Sequence, residues 1–144
     1  MSHNRDWIAE HIPHQGNMCL LDEVISFDDE HIICHTQSHH AAHHPLARNG
    51  VLGIANGIEY AAQAMAVHGA VRAQHAPGRS GYLASVRDVQ WFTPTLHDVA
   101  EPLEIKAERL SGSDNNVLYA FSLSAGGRLL LQGRSTVILN ADNL

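Results

Sequence analysis

Apolar residues along the chain follow two patterns, namely short runs with strand-like alternation and one long run rich in alanine. Alternation with a period of two is typical of a half-buried strand, whereas alanine, glutamine and methionine favour a helix. The long run extends from Asn56 to about Gln74 and stops before the Pro77-Gly78 pair. Because its small and apolar residues cover most of the circumference, we predict a central helix buried inside the fold.

Two strands are predicted before this helix and four after it. The first two, Cys19 to Phe27 and His31 to Gln37, are predicted to form a hairpin, and a short helix from Arg5 to His11 precedes them. The later four are Gly81 to Phe92, Leu103 to Leu110, Val117 to Ala125 and Leu129 to Leu139, with a turn at Gly126-Gly127. This order predicts an α+β fold in which an antiparallel sheet of about six strands wraps around one central helix. No linker or repeat divides the chain, so residues 1–144 are expected to form a single domain.

Charge and cysteine content exclude several classes of protein. Nine Lys and Arg residues against fifteen Asp and Glu give a net charge of -6, the wrong sign for a nucleic-acid partner. Cys19 and Cys34 fit neither a disulfide framework nor a Cys-x-x-Cys site, so buried reduced thiols are expected. We find no secretory signal and no apolar run of membrane-spanning length, and therefore expect no membrane span and a cytoplasmic location.

Histidine is unusually frequent, and five of the twelve histidines fall between Ile32 and Pro45. Within this histidine tract, His35, His39 and His43 recur every four residues, a spacing that makes metal-binding pairs on a helix. However, the tract begins in the strand-like Ile32-Ile33-Cys34, and no nearby carboxylate or cysteine completes a zinc site. We therefore predict no metal site, and keep a metal-binding module as an alternative.

Four stretches carry a resemblance to a known family: IPHQGNMCLLDEV from Ile12, HHPLARNGVLGIANGIEYAAQAMAVHG from His43, GYLASVRDVQWFTP from Gly81, and the closing GGRLLLQGRSTVIL. They resemble the bacterial 3-hydroxyacyl-carrier-protein dehydratases, which have the hot-dog fold. Glu-Tyr-Ala-Ala-Gln at Glu59 to Gln63 is similar to Glu-Ala-Met-Ala-Gln of the fatty-acid dehydratases. A closer likeness is to the dehydratase-like group of aryl-polyene pigment clusters, where a GIEYxAQAxAxHG helix is typical. The interval from His-Pro to the acidic residue is longer here, with residues 49–55 inserted or rearranged.

The resemblance implies removal of water from a 3-hydroxyacyl chain held on the phosphopantetheine of an acyl carrier protein, by a homodimer and without a cofactor. A neutral imidazole suits the base that takes the C2 proton, with His44 as first candidate and His43 as second. A carboxyl group shielded from water can donate a proton to the leaving hydroxyl, a role that fits Glu59. Backbone N–H groups of Gly57 and Ile58, at the helix N-terminus, are candidates to bind charge on the thioester oxygen. Gln63 shares a helix face with Glu59 and can orient it or contact substrate.

Simpler or different roles compete with these assignments. Glu59 lies three positions after Asn56, as in a capping box, so spacing alone is equally consistent with a helix cap. A hot-dog thioesterase, in which Glu59 activates water, is the second enzymatic possibility. A non-catalytic acyl-binding or metal-binding module is the third possibility, because a fold does not establish a function.

Overall fold

The computed structural model describes residues 3–12, 18–72, 81–113 and 115–139. Its two α-helices and seven strands follow the chain in the order β1 (His3–Asn4), α1 (Arg5–His11), β2 (Glu23–Phe27), β3 (His31–Thr36), α2 (Gly57–Arg72), β4 (Gly81–Trp91), β5 (Leu103–Gly112), β6 (Asn116–Ala125) and β7 (Arg128–Leu139). Short 3-10 turns at Ser38–His40 and Ile54–Asn56 lie between β3 and α2. The predicted bounds of α1 are confirmed, and β2 and β3 pair as the predicted hairpin.

The strands form one antiparallel sheet in the order β1-β2-β3-β5-β6-β7-β4. Helix α2 packs against β3, β4, β5 and β6, so the sheet curls around it. The predicted α+β fold with one central helix is therefore confirmed. The sheet has seven strands instead of about six, because β1 spans two residues and is too short to leave a periodic pattern.

Helix α2 is buried on nearly every side, as its small residues predict. Tyr60, Ala61, Ala64 and Val67 have no exposed surface. Strand β6 supplies the facing layer, since every second residue from Val117 to Ala125 is buried. The turn between β6 and β7 uses positive φ angles of 57° and 78° at Gly126 and Gly127, which glycine adopts without strain.

The start of the first hairpin strand differs from the prediction. Strand pairing of β2 begins at Glu23, and the buried residues Cys19, Leu20 and Leu21 lie before it without forming a strand. Their apolar character reflects burial, which a strand and a buried loop share. Side chains satisfy the backbone here, because the Leu20 N–H donates to Gln63 Oε1 at 2.8 Å.

The helix start also differs, and the predicted capping box is wrong. Asn56 closes the 3-10 turn instead of serving as N-cap of α2. Its backbone N–H and its side-chain Nδ2 both donate to the Gly53 carbonyl at 3.1 Å. In a capping box, Glu59 would accept from the backbone N–H of Asn56, but this N–H already donates to Gly53 within the turn.

A buried histidine joins the far half of α2 to the sheet. The Nε2–H of His68 donates to the Asp28 carbonyl at 2.8 Å, and its Nδ1 accepts from the Tyr119 hydroxyl at 2.7 Å. Burial lowers the pKa of His68 and raises that of Tyr119 to about 12. Both groups are neutral near pH 7, and the two hydrogen bonds give His68 a structural role between α2 and the sheet.

Acid is expected to destabilise the fold through its buried histidines. Burial lowers the pKa values of His39, His44 and His68 in the folded protein. Below about pH 6.5 the unfolded chain binds protons that the folded chain does not, so the free energy of unfolding falls as pH decreases. The expected slope is up to about 1.4 kcal/mol per pH unit for each such histidine. Urea unfolding at several pH values between about 5 and 8 measures it, and equal stability throughout would contradict the expectation.

Candidate active site

The histidine tract borders a pocket of about 350 Å³ between the segment before β2 and the turns after β3. Two of the sequence-predicted residues, His43 and His44, line it. Among the described residues, the lining consists of Arg5, Cys19, Leu20, Asp22, Gln37, Ser38, Ala41, His43, His44 and Pro45. Glu59, Gln63, Gly57 and Ile58 are not part of this lining. The structure thus brings the two imidazoles together and leaves the glutamate-bearing face of α2 outside their pocket.

His43 and His44 differ sharply in their surroundings. His44 is 6% exposed, its Nδ1 accepts from the Leu46 backbone N–H at 3.0 Å, and its Nε2 lies 3.0 Å from the Tyr60 hydroxyl. Burial lowers the pKa of His44, so its ring is neutral near pH 7. His43 is exposed at the pocket, and its ring makes no hydrogen bond or ion pair within the described part of the chain.

A chain of buried and half-buried hydroxyl groups continues from His44, and sequence reasoning missed it. The Tyr60 hydroxyl lies 2.8 Å from Ser38 Oγ, and Ser38 Oγ donates to the Leu20 carbonyl at 2.7 Å. Thr36 Oγ1 donates to the same carbonyl at 2.5 Å. Burial raises the pKa of Tyr60 to about 12, so its phenol keeps its proton. Tyr60 belongs to the helix motif, but its role depends on Ser38, which no sequence spacing connects with it.

Gln63 connects Glu59 to the segment before β2. It is fully buried, and its Oε1 accepts from the Leu20 N–H at 2.8 Å. Its Nε2 donates to the Met18 carbonyl at 2.8 Å and to Glu59 Oε2 at 3.1 Å. Both amide protons are therefore used, and Gln63 orients the Glu59 carboxyl group as its helical spacing predicts.

Replacing Gln63 by methionine is expected to destabilise the protein by about 2 to 4 kcal/mol. Methionine fills a similar volume but leaves the buried Leu20 N–H and the Met18 carbonyl without this partner. Chemical denaturation measures the loss. The matched control is Gln132→Met, because the Gln132 side chain donates to the exposed Gln90 side chain at 2.6 Å and to no buried group among the described residues. A loss no larger than that of the control would show that the buried amide contributes little to stability.

The N-terminus of α2 is less open than the sequence suggested. The Gly57 N–H donates to the Ile54 carbonyl within the turn, and its contact with the thioester oxygen stays a prediction. Gly57 is needed for close packing, because a Cβ there would lie 2.7 Å from Leu131 Cδ2 and 3.1 Å from Leu123 Cδ2. Ile58 is half-buried and packs against the core. Contact of Ile58 with substrate stays a prediction.

The remaining histidines of the tract bind carbonyl or carboxylate oxygens. His39 Nε2–H donates to the Val99 and Glu101 carbonyls at 3.0 and 3.1 Å, and His40 Nε2–H donates to the Val99 carbonyl at 2.6 Å. His35 Nε2 lies 3.0 Å from Glu104 Oε1. The run is a strand followed by a 3-10 turn, so the helical spacing of metal-binding pairs is not realised. Within the described ranges, no three His, Cys, Asp or Glu side chains gather as a metal site.

A single buried helix wrapped by an antiparallel sheet of this order is the hot-dog fold. The chain belongs to the ApeP-like family, described as ApeP dehydratase, whose sequence profile matches residues 7–143. Family membership makes it a dehydratase-type hydro-lyase. A search of curated proteins finds no significant match.

Solved structures show the same fold. The dehydratase heterocomplex ApeI:P from Xenorhabdus doucetiae superposes with a TM-score of 0.81 at 23% identity, covering 94% of this chain and 92% of that chain. A hypothetical thioesterase with coenzyme A from Streptococcus pneumoniae gives 0.58 at 16% identity, covering 82% and 84%. A mutant thioesterase from Pseudomonas aeruginosa gives 0.58 at 17% identity, covering 82% and 80%. No helix among the described residues is long and apolar enough to cross a membrane.

Proposed function

We propose that the chain removes water from a 3-hydroxyacyl thioester carried by an acyl carrier protein, giving a 2-enoyl thioester. The observation that carries the proposal is the pocket where the exposed imidazole of His43 lies beside the hydrogen-bonded His44, in a chain of a dehydratase family. No cofactor is needed, because the C2 proton is acidified by the thioester and an imidazole titrates near the working pH.

The reaction needs a base and an acid on the two carbons that become the double bond. An imidazole of the His43-His44 pair takes the C2 proton, and the electron pair forms the C2–C3 double bond as the hydroxyl leaves C3. Glu59 gives that hydroxyl its proton, so one water is released. The proton gained by the imidazole then returns to the carboxylate through solvent. Gln63 holds the carboxyl group in place through the bond at 3.1 Å.

The site is proposed to be shared between two copies of the chain. Glu59 does not line the pocket that holds His43 and His44, so a partner's pocket is the natural place for it to act. Strand β4 supports edge-to-edge pairing, because it pairs only with β7 in the described sheet. Trp91 and Phe92, at the end of this strand, are 62% and 56% exposed, as interface aromatics of a separated protomer would be.

A second copy of this chain is our proposed partner at that edge, and a different dehydratase chain is the alternative. The alternative has support because the similar Xenorhabdus doucetiae structure is a heterocomplex. Light scattering of the purified chain separates the two. A stable dimer that turns over substrate agrees with the homodimer, whereas a monomer that is fully active when dilute contradicts it.

We further propose that the enzyme works in the cytoplasm. Both cysteines, Cys19 and Cys34, are buried and unpaired, which suits a reducing compartment. Burial raises the pKa of the Cys34 thiol to about 12, so it stays protonated and unreactive.

Intact mass spectrometry of a 3-hydroxyacyl carrier protein incubated with the chain tests the proposed reaction. The expected product is a carrier protein whose acyl group is lighter by one water. Free acid and deacylated carrier protein would instead indicate a thioesterase, the second candidate, which hot-dog neighbours described as thioesterases support. Tight binding of the thioester without turnover would indicate a non-catalytic acyl-binding module. Running the coenzyme A thioester alongside tests whether the carrier protein itself is recognised.

A further inference from the structure

We propose that Tyr60 and Ser38 are positioning residues that hold the His44 ring with its proton on Nε2, which leaves His43 as the imidazole that takes the C2 proton. The division of roles within the histidine pair rests on the proposed dehydration. The fixed state of the His44 ring does not, because it follows from hydrogen bonds within the chain.

The first argument starts from the backbone. The Leu46 N–H points at His44 Nδ1 at 3.0 Å, and an N–H can only donate. Nδ1 must therefore be the unprotonated nitrogen of the ring. A neutral imidazole carries one proton, so that proton lies on Nε2 and is donated to the Tyr60 hydroxyl at 3.0 Å.

The second argument starts from the opposite end of the chain of hydroxyl groups and gives the same direction. The Leu20 carbonyl can only accept, so the proton of Ser38 Oγ is directed to it at 2.7 Å. Ser38 must then accept at its contact of 2.8 Å with Tyr60, and the phenol proton is directed to Ser38. The Tyr60 oxygen is left as an acceptor for His44. All three donors point the same way, from the imidazole to the Leu20 carbonyl.

This arrangement leaves His44 without a nitrogen that can receive a proton. Nδ1 holds the Leu46 N–H, and Nε2 already carries a proton that is bound to Tyr60. Taking up the C2 proton at Nδ1 would set a second donor against the buried Leu46 N–H, which leaves both donors without an acceptor. His43 has no such commitment within the described residues, and it faces the same pocket.

His44 then acts on the reaction through its neighbour. Its Nε2–H ties the turn that carries His43 to α2 through Tyr60, and its carbonyl accepts from the Ala47 N–H at 3.1 Å. The turn is thus anchored at His44 by a side-chain and a backbone hydrogen bond, directly after His43. The expected consequence is a His43 imidazole held at the pocket by the backbone, while its own ring stays free to exchange protons.

Long-range proton–nitrogen NMR correlations of histidine-labelled protein test the ring state directly, and the loss of one ring signal in His44→Gln assigns it. The expected wild-type result is a neutral His44 ring protonated on Nε2 near pH 7. Tyr60→Phe removes the acceptor, so the Nε2–H signal should broaden or shift. Tyr119→Phe is the matched control, because it removes a hydroxyl from the other buried tyrosine–histidine pair, at 2.7 Å from His68. A His44 ring protonated on Nδ1, or equal spectra for Tyr60→Phe and wild type, would overturn the proposal.

Kinetics test the division of roles. His43→Gln should lower kcat about 100-fold or more and remove the acidic limb of the pH profile. His44→Gln keeps a side-chain N–H able to reach Tyr60, so it should lower kcat by less than about tenfold and keep that limb. The reverse pattern would overturn the assignment.

If Tyr60→Phe does not fold, Ser38→Ala is the second variant, because it removes the group that accepts the Tyr60 proton. An unchanged environment of the Tyr60 hydroxyl in Ser38→Ala would contradict the proposed chain of hydrogen bonds. If the wild-type protein dehydrates nothing, the proposed function fails, while the NMR result still decides the ring state.

Discussion

Glu59→Gln is expected to lower the dehydration rate about 100-fold or more while the melting temperature changes little. Glutamine is nearly isosteric and keeps an oxygen that can accept from Gln63 Nε2, so the contact at 3.1 Å survives. It cannot donate the carboxyl proton that the leaving hydroxyl needs. Loss of a helix cap is not expected either, because the Asn56 N–H that Glu59 would cap donates to the Gly53 carbonyl instead. Single-turnover kinetics and thermal unfolding of the same preparation measure the two effects.

Glu104→Gln is the matched control for this experiment. Glu104 is half-buried like Glu59, and its carboxyl group contacts the His35 ring at 3.0 Å on the sheet, away from the pocket lining. The control should keep wild-type turnover. Wild-type turnover by Glu59→Gln as well would remove the main support for Glu59 as proton donor and leave the fold unchanged.

Mixing two inactive variants should restore activity if each site takes residues from two copies. One variant carries Glu59→Gln, and the other carries His43→Gln together with His44→Gln. A mixed dimer then has one site in which both defects meet and one site that is intact. Random reassociation makes half of the dimers mixed, so recovery to about a quarter of wild-type activity is expected. Steady-state turnover after unfolding and refolding the mixture measures it.

The unmixed variants, treated in the same way, are the controls and should stay inactive. No recovery in the mixture, with mixed dimers detected by native mass spectrometry, would show that each chain supplies its own acid and base. Glu59 would then have to reach the His43 pocket of its own chain by a movement of α2 or the histidine turn. Recovery only after another dehydratase chain is added would favour the heterocomplex over the homodimer.

Periodicity predicted most of the fold because hydrophobic burial determines it. The strands after α2 follow from apolar residues that alternate with a period of two, and the buried helix α2 follows from small and apolar residues that cover most of its circumference. Two details escaped this reasoning. The segment Cys19 to Leu21 is buried without being a strand, and β1 is too short to show a period. A buried loop and a buried strand have the same apolar composition, and two residues are too few to show alternation. Sequence alone therefore does not reveal the secondary structure at either place.

The site was predicted only in part because it depends on contacts between distant segments. Glu59 and Gln63 share a helix face, and their hydrogen bond follows from spacing. Ser38 and Tyr60 are twenty-two residues apart, and they meet only because a 3-10 turn places the serine over α2. Likewise, the sequence does not show that His44 is buried and His43 is exposed, because the two residues are adjacent and of the same type. That difference comes from the direction of the turn and from the Leu46 N–H.

Incubating a 2-enoyl carrier protein with the enzyme in water labelled with heavy oxygen tests the central claim most directly. The residues that remove water also add it in the reverse direction, so the same acid and base are examined. The account predicts label in the C3 hydroxyl of an acyl group that is still attached to the carrier protein. Label in the carboxylate of a released free acid, with no labelled thioester, would contradict it and show that the chain cleaves the thioester instead.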